Sequence, residues 1–139
     1  MRVMVFVKAT EGSEQGMTPS PELDQMFVDM GKFNEELVNA GVLVAGDGLK
    51  PSSFGKRVAF DGPSRTVIDG PFAETRELVA GFWLCQVKDM DEAVAWGERC
   101  PNPMPSEIEI RLADFGEGLT PEVTGILDRT SEKLGGKSR

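Results

Sequence analysis

The sequence predicts an α+β fold in which two helices cover one face of an antiparallel sheet. Apolar and polar patterns follow one another along the chain as strand, helix, strand, hairpin, strand, helix and strand. Without the hairpin this order is βαββαβ, the split βαβ arrangement. Its first strand is apolar on both faces and its last strand alternates. At 139 residues the chain is long enough to form one such core without disulfides or metals.

The first strand and helix carry the strongest patterns. Residues 3–7 are β-branched or apolar throughout, as in a central strand covered on both sides. A polar stretch that contains glycine follows over residues 10–19. Ser20 and Pro21 suit the N-cap and first position of a helix, and Gly41 is expected to end it. The apolar residues of this helix recur at spacings of three and four: Leu23, Met26, Phe27, Met30, Phe33, Leu37 and Val38.

The middle of the chain reads as strands and turns. A second strand is expected at residues 42–44, ended by the glycines of residues 46–48. Residues 57–60 and 65–68 flank an Asp-Gly-Pro-Ser turn, which predicts a hairpin. A polar stretch with room for one helical turn then leads to another strand at residues 81–87.

A second helix and a last strand complete the predicted domain. Asp89 is expected to cap the helix, with Glu92 in the position of a capping box. Residues 101–103, with two prolines, are expected to stop it. Residues 107–112 alternate, so their charged side chains should point away from the core. The predicted inner face of the helix consists of Ala93, Val94, Gly97 and Cys100.

The last 26 residues predict a third, amphipathic helix. It should begin at Thr120 and Pro121 and end at the glycine pair of residues 135–136, while Gly125 weakens it. Its apolar stripe consists of Val123, Ile126, Leu127 and Leu134.

The composition excludes several kinds of chemistry and partner. There is no histidine, so catalytic triads, imidazole zinc sites and imidazole haem ligation are excluded. The net charge of −8, without clustered Lys or Arg, argues against a nucleic-acid partner. Cys85 and Cys100 lack a C-x-x-C spacing and are expected to be reduced thiols in a cytoplasmic protein. The N-terminal apolar run is shorter than a secretory signal, so neither export nor membrane insertion is expected.

No cofactor or metal is expected from the motifs. Gly46-Asp47-Gly48 is a lone G-x-G with no helix after it, which argues against a nucleotide loop. Carboxylates alone are able to hold magnesium or calcium, but no ligand spacing in this chain supports such a site.

The segment Asp69-Gly70-Pro71-Phe72 is the main candidate site. A type I turn disfavours proline at its third position, where Pro71 would lie. Gly70 is expected to adopt a backbone angle that other residues resist. A rigid bend of this kind would present the Asp69 carboxylate to a cleft for proton transfer. The alternative is that Asp69 only hydrogen-bonds within its own turn.

Other candidates complete this site in the prediction. Glu74 would supply a second acid near Asp69, or belong to a solvated face. Arg111 would pair with Asp69 or bind a substrate carboxylate, or be an ordinary surface arginine. Lys8 is a weaker candidate of the same kind. The aromatic residues would line an apolar pocket between sheets or pack in the core: Phe72, Phe82 and Trp83.

The Asp69–Phe72 segment resembles the signature of the YCII-related proteins, specifically of their DGPF branch, which is named for these four letters. The resemblance covers residues 1–113 and leaves residues 114–139 as a C-terminal extension with an amphipathic helix. The matching context follows in order: Ala40-Gly41-Val42-Leu43, Gly46-Asp47-Gly48-Leu49, Leu78, Gly81-Phe82, Asp91-Glu92-Ala93, Trp96 and Glu109-Ile110-Arg111.

The resemblance implies a dimeric α+β barrel of ferredoxin-like topology. A second copy of the chain would also cover the outer apolar face of residues 3–7. The inter-sheet cleft of this homodimer would bind a small molecule, with Asp69 and Glu74 as acid or base. Gly70, Pro71, Phe72 and Arg111 would bind the ligand.

Whether the protein is an enzyme stays open. Related YCII proteins are suspected enzymes because a histidine and an aspartate share a cleft, and this chain has no histidine. DGPF proteins are often encoded beside extracytoplasmic-function sigma factors in bacteria. The alternative function is therefore a non-catalytic accessory or regulatory module that contacts such a sigma factor.

Overall fold

The computed structural model describes residues 1–101, 106–113 and 120–134, except for the side chain of Arg76. The strands are β1 (Arg2–Lys8), β2 (Leu43–Gly48), β3 (Lys56–Asp61), β4 (Ser64–Asp69), β5 (Val79–Gln86) and β6 (Ile108–Leu112). The helices are α1 (Glu11–Gln15), α2 (Pro21–Asn39), α3 (Met90–Glu98) and α4 (Pro121–Lys133).

A four-stranded antiparallel sheet forms the centre of the fold. Its strand order is β2-β5-β1-β6, and each neighbouring pair is antiparallel. The strands β3 and β4 form a separate two-stranded sheet, which is inserted between β2 and β5. The mixed α+β class, the βαββαβ order and the hairpin insertion predicted from the sequence are confirmed.

Helix α2 forms where the sequence signals predict it. The Ser20 hydroxyl accepts a hydrogen bond from the Leu23 amide at 3.1 Å, and Pro21 occupies the first helical position. Gly41 has a φ of +72°, the left-handed conformation that commonly ends a helix. The helix buries Phe33 and Leu37 against the sheet.

The core lies between the helices and one face of the main sheet, which we call the helix face. Cross-strand pairs place side chains of the neighbouring strands β1, β5 and β6 together on this face, for example Val5, Trp83 and Ile110. Phe33 of α2 meets the Trp83 ring edge to face, with centroids 5.7 Å apart. The buried residues of this cluster are Val3, Val5, Phe33, Leu37, Val42, Trp83, Cys85, Val87 and Ala93.

The opposite face of the sheet, which we call the open face, is also apolar at its centre. Its central side chains are half-buried in the single chain: Met4, Phe6, Phe82 and Leu84. Charged residues of β6 lie beside them, because Glu109 pairs with Phe6 and Arg111 pairs with Met4. The prediction that the first strand is central and apolar on both faces is confirmed.

The β3–β4 hairpin is held by its turn and its base. Gly62 has a φ of +57° and precedes Pro63 in a two-residue loop. At the other end, Lys56 pairs with Asp69. All twelve strand residues of the hairpin are exposed.

Helix α1 lies in the polar stretch of residues 10–19, where the sequence predicted no helix. Its N-terminus is stabilised by a reciprocal cap, since the Thr10 hydroxyl accepts from the Ser13 amide and the Ser13 hydroxyl accepts from the Thr10 amide. One turn of helix with no buried residue has no apolar periodicity to reveal it.

The inner face predicted for α3 is wrong at one position. Val94 is 41% exposed, and Trp96 packs against the core in its place. Asp89 caps the helix as predicted, because its carboxylate accepts from the Glu92 amide at 2.9 Å. The Glu92 carboxylate accepts from the Lys88 amide and not from that of Asp89, so the expected capping box is not complete. The expected stops at residues 102–103 and 135–136 lie outside the described residues. Helix α4 begins after Thr120 as predicted.

Candidate functional site

The Asp69–Phe72 bend lies at the base of the hairpin, against the turn of 3₁₀ helix at Ser52–Phe54. The Gly70 amide donates to the Gly55 carbonyl at 3.0 Å, and the Phe72 amide donates to Ser52 Oγ at 3.0 Å. The Gly70–Pro71 peptide bond is cis. The bend is therefore fixed by the loop that precedes the hairpin.

Gly70 is required by a close approach of two backbones. A Cβ at this position would lie 1.8 Å from the Ser52 carbonyl oxygen, well inside any real contact distance. The described glycines with positive φ are elsewhere, at Gly16, Gly41 and Gly62. The prediction that Gly70 is needed for an unusual φ is wrong, and steric exclusion is the reason for the glycine.

A carboxylate from α1 completes the attachment of the bend. Glu14 Oε2 accepts from the Ser52 amide at 2.8 Å, and Glu14 Oε1 accepts from the Ser52 hydroxyl. Since Ser52 Oγ in turn accepts from the Phe72 amide, one chain of hydrogen bonds joins α1 to the bend. We call Glu14, Ser52, Gly70 and Phe72 the clasp. Sequence reasoning missed Glu14 and Ser52, because nothing local relates residues 38 positions apart.

The Asp69 carboxylate points to solvent. Its side chain is 74% exposed, and its Oδ1 lies 2.5 Å from Lys56 Nζ, the cross-strand neighbour. Arg57 stacks on the Phe72 ring, with 3.8 Å from Cζ to the centroid. Glu74 is exposed and precedes the short 3₁₀ turn Thr75–Glu77, and Pro71 is exposed as well.

Arg111 lies on the open face and not beside the bend. Its Nη1 is 3.9 Å from Glu109 Oε2, and its side chain is 71% exposed. Lys8 Nζ lies 3.5 Å from the same Glu109 side chain. In the single chain Asp69 pairs with Lys56 and Arg111 pairs with Glu109, so the two predicted site residues have different ionic partners.

A cavity of about 400 Å³ lies between α2 and the β2–β5 side of the helix face. Its lining includes the glycines Gly46, Gly48 and Gly81. In the sheet register Gly48 pairs with Gly81, which pairs with Val7, so two neighbouring positions of one row carry no side chain. A Cβ on Gly48 would meet no atom within 4 Å. The missing side chain of Gly48 therefore leaves open space, whereas a Cβ on Gly81 would lie 3.0 Å from the Asp47 carbonyl oxygen.

The walls of the cavity are mostly apolar. Met30 and Asn34 of α2 lie above the glycines, and Leu43, Val7 and Trp83 belong to the sheet. Asp47 and Phe82 also line the cavity. They are a cross-strand pair one step from Gly48 and Gly81, so the pleat of the sheet directs their side chains to the open face.

One polar contact is built into the wall. The Trp83 indole Nε1 donates to Asn34 Oδ1 at 2.8 Å. Trp83 is 8% exposed, so this hydrogen bond satisfies a donor that is almost removed from water. The sequence contains both residues, but only the helix–sheet packing shows that they meet 49 positions apart.

The two cysteines are free thiols of low reactivity. Cys85 is buried in the core cluster, and Cys100 is half-buried beside the Pro101 carbonyl. Burial raises the pKa of both thiols above the ordinary value of 9.0. A raised pKa keeps each sulfur protonated and weakly nucleophilic at neutral pH.

Two kinds of feature are absent from the described residues. Among the described residues, no group of three Cys, Asp or Glu side chains is arranged to hold a metal ion. In the same part of the chain, no helix combines the length and apolar character that crossing a bilayer requires.

Comparisons with known proteins give one relative and one matching family. The chain is 31% identical over 103 residues to an uncharacterized protein of Rhizobium meliloti (strain 1021), an overlap of 72% of this chain and 83% of the relative. Residues 1–113 match the profile of the YCII-related domain, and this stretch contains the main sheet, the hairpin, the clasp and the cavity. The chain therefore belongs to the family of proteins with a YCII-related domain.

Proposed function

We propose that this protein binds a small organic molecule in the cavity between α2 and the β2–β5 side of the sheet. The observation that carries the proposal is the cavity of about 400 Å³ lined by Gly48 and Gly81, with open space at the Cβ position of Gly48. This volume lies within the usual range of small-molecule sites. Apolar walls around one oriented amide are also typical of such sites.

The proposal is tested by filling the cavity. In Gly48→Leu the new side chain projects into the empty space and should weaken binding of a small aromatic probe such as ethylbenzene at least tenfold. Binding is followed by the NMR signal of the Trp83 indole Nε1–H, assigned with the help of Trp96→Phe. Gly31→Leu is the matched control, since Gly31 is exposed on α2, has no atom within 4 Å of its Cβ position and does not line the cavity. Equal affinity in both variants would refute the proposal.

The acid or base role of Asp69 and Glu74 is a separate proposal. It needs a cleft around the bend, and Asp69 is not among the residues that line the cavity described above. A second chain packed against the open face would have to bring Arg111 and Asp69 to a common ligand. Benzoate tests this arrangement, because its carboxylate matches an arginine fork. Benzoate should shift the NMR signals of both residues, and Arg111→Gln should abolish the shifts. Shifts confined to the cavity residues would contradict the role.

A homodimer is supported by the apolar centre of the open face. Met4, Phe6, Phe82 and Leu84 form a patch that sheet-to-sheet packing would bury. We expect light scattering to give a mass twice that of the 15.1 kDa chain. A mass equal to one chain at micromolar concentration would overturn the dimer and the barrel together.

The α4 helix favours a second candidate function, contact with another protein in the cytoplasm. Three of the four residues of its apolar stripe are exposed in the single chain, including Val123 at 38% and Ile126 at 49%, and Leu127 is half-buried. An amphipathic helix of this kind is a common recognition element. An extracytoplasmic-function sigma factor encoded beside the protein would be the partner to test. Co-purification that Ile126→Glu abolishes would support this function, and unchanged co-purification would count against it.

A further inference from the structure

Among the described residues, the one polar side chain that lines the cavity and projects from the helix face inward is that of Asn34. By the register of β2 and β5, the side chains that reach it from the described residues include Val7, Met30, Leu43 and Trp83, all apolar, and Asn34. The Asp47 carboxylate leaves on the open face, and its Oδ1 accepts from the Gly48 amide at 2.9 Å. The cavity therefore offers no charge to a ligand from these side chains.

Charge selectivity follows from this lining. An ionised ligand would lose part of its hydration on entering and would gain no opposite charge in return. A neutral molecule with a large apolar surface loses much less, and each Å² that it buries contributes about 25 cal/mol.

The orientation of Asn34 is fixed by its neighbour. An indole N–H only donates, so the amide atom that faces Trp83 Nε1 at 2.8 Å must be the oxygen. The other branch of the amide is then the NH₂ group, which only donates. Because Asn34 lines the cavity, this group is the donor that its side chain presents to an occupant.

We infer that the cavity binds an uncharged, largely apolar molecule that carries a hydrogen-bond acceptor of the carbonyl type, and that Asn34 Nδ2 donates to this acceptor. The inference rests on the proposed function and specifies its ligand class. It makes Asn34 a specificity-determining residue, held in position by Trp83. The size of the space, about 400 Å³, exceeds the roughly 150 Å³ that accommodates one benzene ring. The ligand class therefore includes molecules larger than a single ring.

The test compares two probes of nearly the same shape, acetophenone and ethylbenzene, which differ in a carbonyl oxygen. The dissociation constants of both are measured on the full chain and on Asn34→Asp by NMR titration. The variant keeps an acceptor for Trp83 Nε1 but replaces the donor toward the cavity with a second acceptor. We expect the ratio of the acetophenone constant to the ethylbenzene constant to rise at least fivefold in the variant, the equivalent of about 1 kcal/mol for one hydrogen bond. Comparing ratios removes the difference in hydrophobicity between the probes.

The outcomes separate this inference from the proposed function. In one outcome both probes bind the native chain and Gly48→Leu prevents the binding of both, but the ratio of the two dissociation constants is unchanged in Asn34→Asp. The cavity is then a binding site, and the inferred ligand class is wrong. If neither probe binds the native chain, the proposed function fails and the inference fails with it. Asn34→Ala, which removes the donor without adding charge, is measured in parallel. A ratio that also stays constant there would overturn the role of Asn34.

Discussion

Gly70 lies so close to Ser52 that the carbonyl oxygen of Ser52 fills the space of a side chain at position 70. A Cβ built there would stand 1.8 Å from this oxygen and 2.7 Å from the carbonyl carbon. The glycine of the Asp69–Phe72 bend is therefore part of a packing contact. This contact gives the segment a structural role that is independent of any ligand.

Gly70→Ala should lower the free energy of unfolding by about 1 to 3 kcal/mol, as overpacking at a rigid backbone contact does. Urea denaturation measures the change. Gly31→Ala is the control, because its Cβ meets no atom within 4 Å and alanine favours the helix. A Gly70 variant as stable as the native chain would contradict the contact.

The Glu14–Ser52 pair should show an energetic coupling. Glu14→Ala, Ser52→Ala and the double variant form a cycle, and we expect a coupling of about 1 kcal/mol, since hydrogen bonds to a charged acceptor are stronger than neutral ones. Ser53→Ala tests the specificity, because Ser53 is exposed in the same turn. If the effects of the two single substitutions add up to that of the double variant, the Glu14–Ser52 hydrogen bonds do not stabilise the fold.

Asn34→Ala should destabilise the fold by about 1 to 3 kcal/mol. The substitution leaves the nearly buried Trp83 Nε1–H without its acceptor. A buried donor that has lost its contact with water and has no hydrogen-bond partner destabilises the folded state. Thermal unfolding followed by near-UV circular dichroism reports both stability and the Trp83 environment. Gln25→Ala removes an exposed amide of the same helix, which bonds Asp29, and should change little. Equal effects of the two substitutions would argue against the Trp83 contact.

Stability should fall at alkaline pH because of the two cysteines. Burial raises the pKa of Cys85 and Cys100 in the folded state, so unfolding makes proton release easier. Their contribution is complete below the ordinary pKa of 9.0 and is lost as the pH rises through the folded-state values. Denaturation from pH 7 to pH 10 measures this loss, and the double Cys→Ala variant should show a smaller slope. A slope that does not change would exclude the thiols as its source.

The sequence predicted those elements whose signals are local. Helix α2 combines a serine cap and a proline at the first position, and both appear in the structure. Its predicted apolar stripe is buried or half-buried at five of seven positions, whereas Phe27 and Val38 are 60% and 58% exposed. Strand β6 was predicted from alternation, and its pairing with β1 places Glu109 and Arg111 on the open face as expected. Such signals are sufficient because each depends on neighbouring residues only.

The candidate site depends mostly on contacts that no local pattern contains. The bend was predicted at Asp69–Phe72, but its attachment to Glu14 and Ser52 arises from the folding of three separate segments. The cavity likewise depends on register, since Gly48 and Gly81 become neighbours only when β2 pairs with β5. Val94 was predicted on the inner face of α3 and is exposed, while Trp96 packs against the core. A helix of nine residues allows more than one choice of inner face.

The separate hairpin sheet gives the molecule a place for an added segment. Its two-residue loop at Gly62 and Pro63 lies at the far end from the Gly55–Gly70 hydrogen bond, and its strands share no ladder with the four-stranded sheet. A fluorophore or an epitope inserted at this loop would interrupt no hydrogen bond of the core. The loop is thus the natural attachment point for a label that follows the protein without altering its cavity.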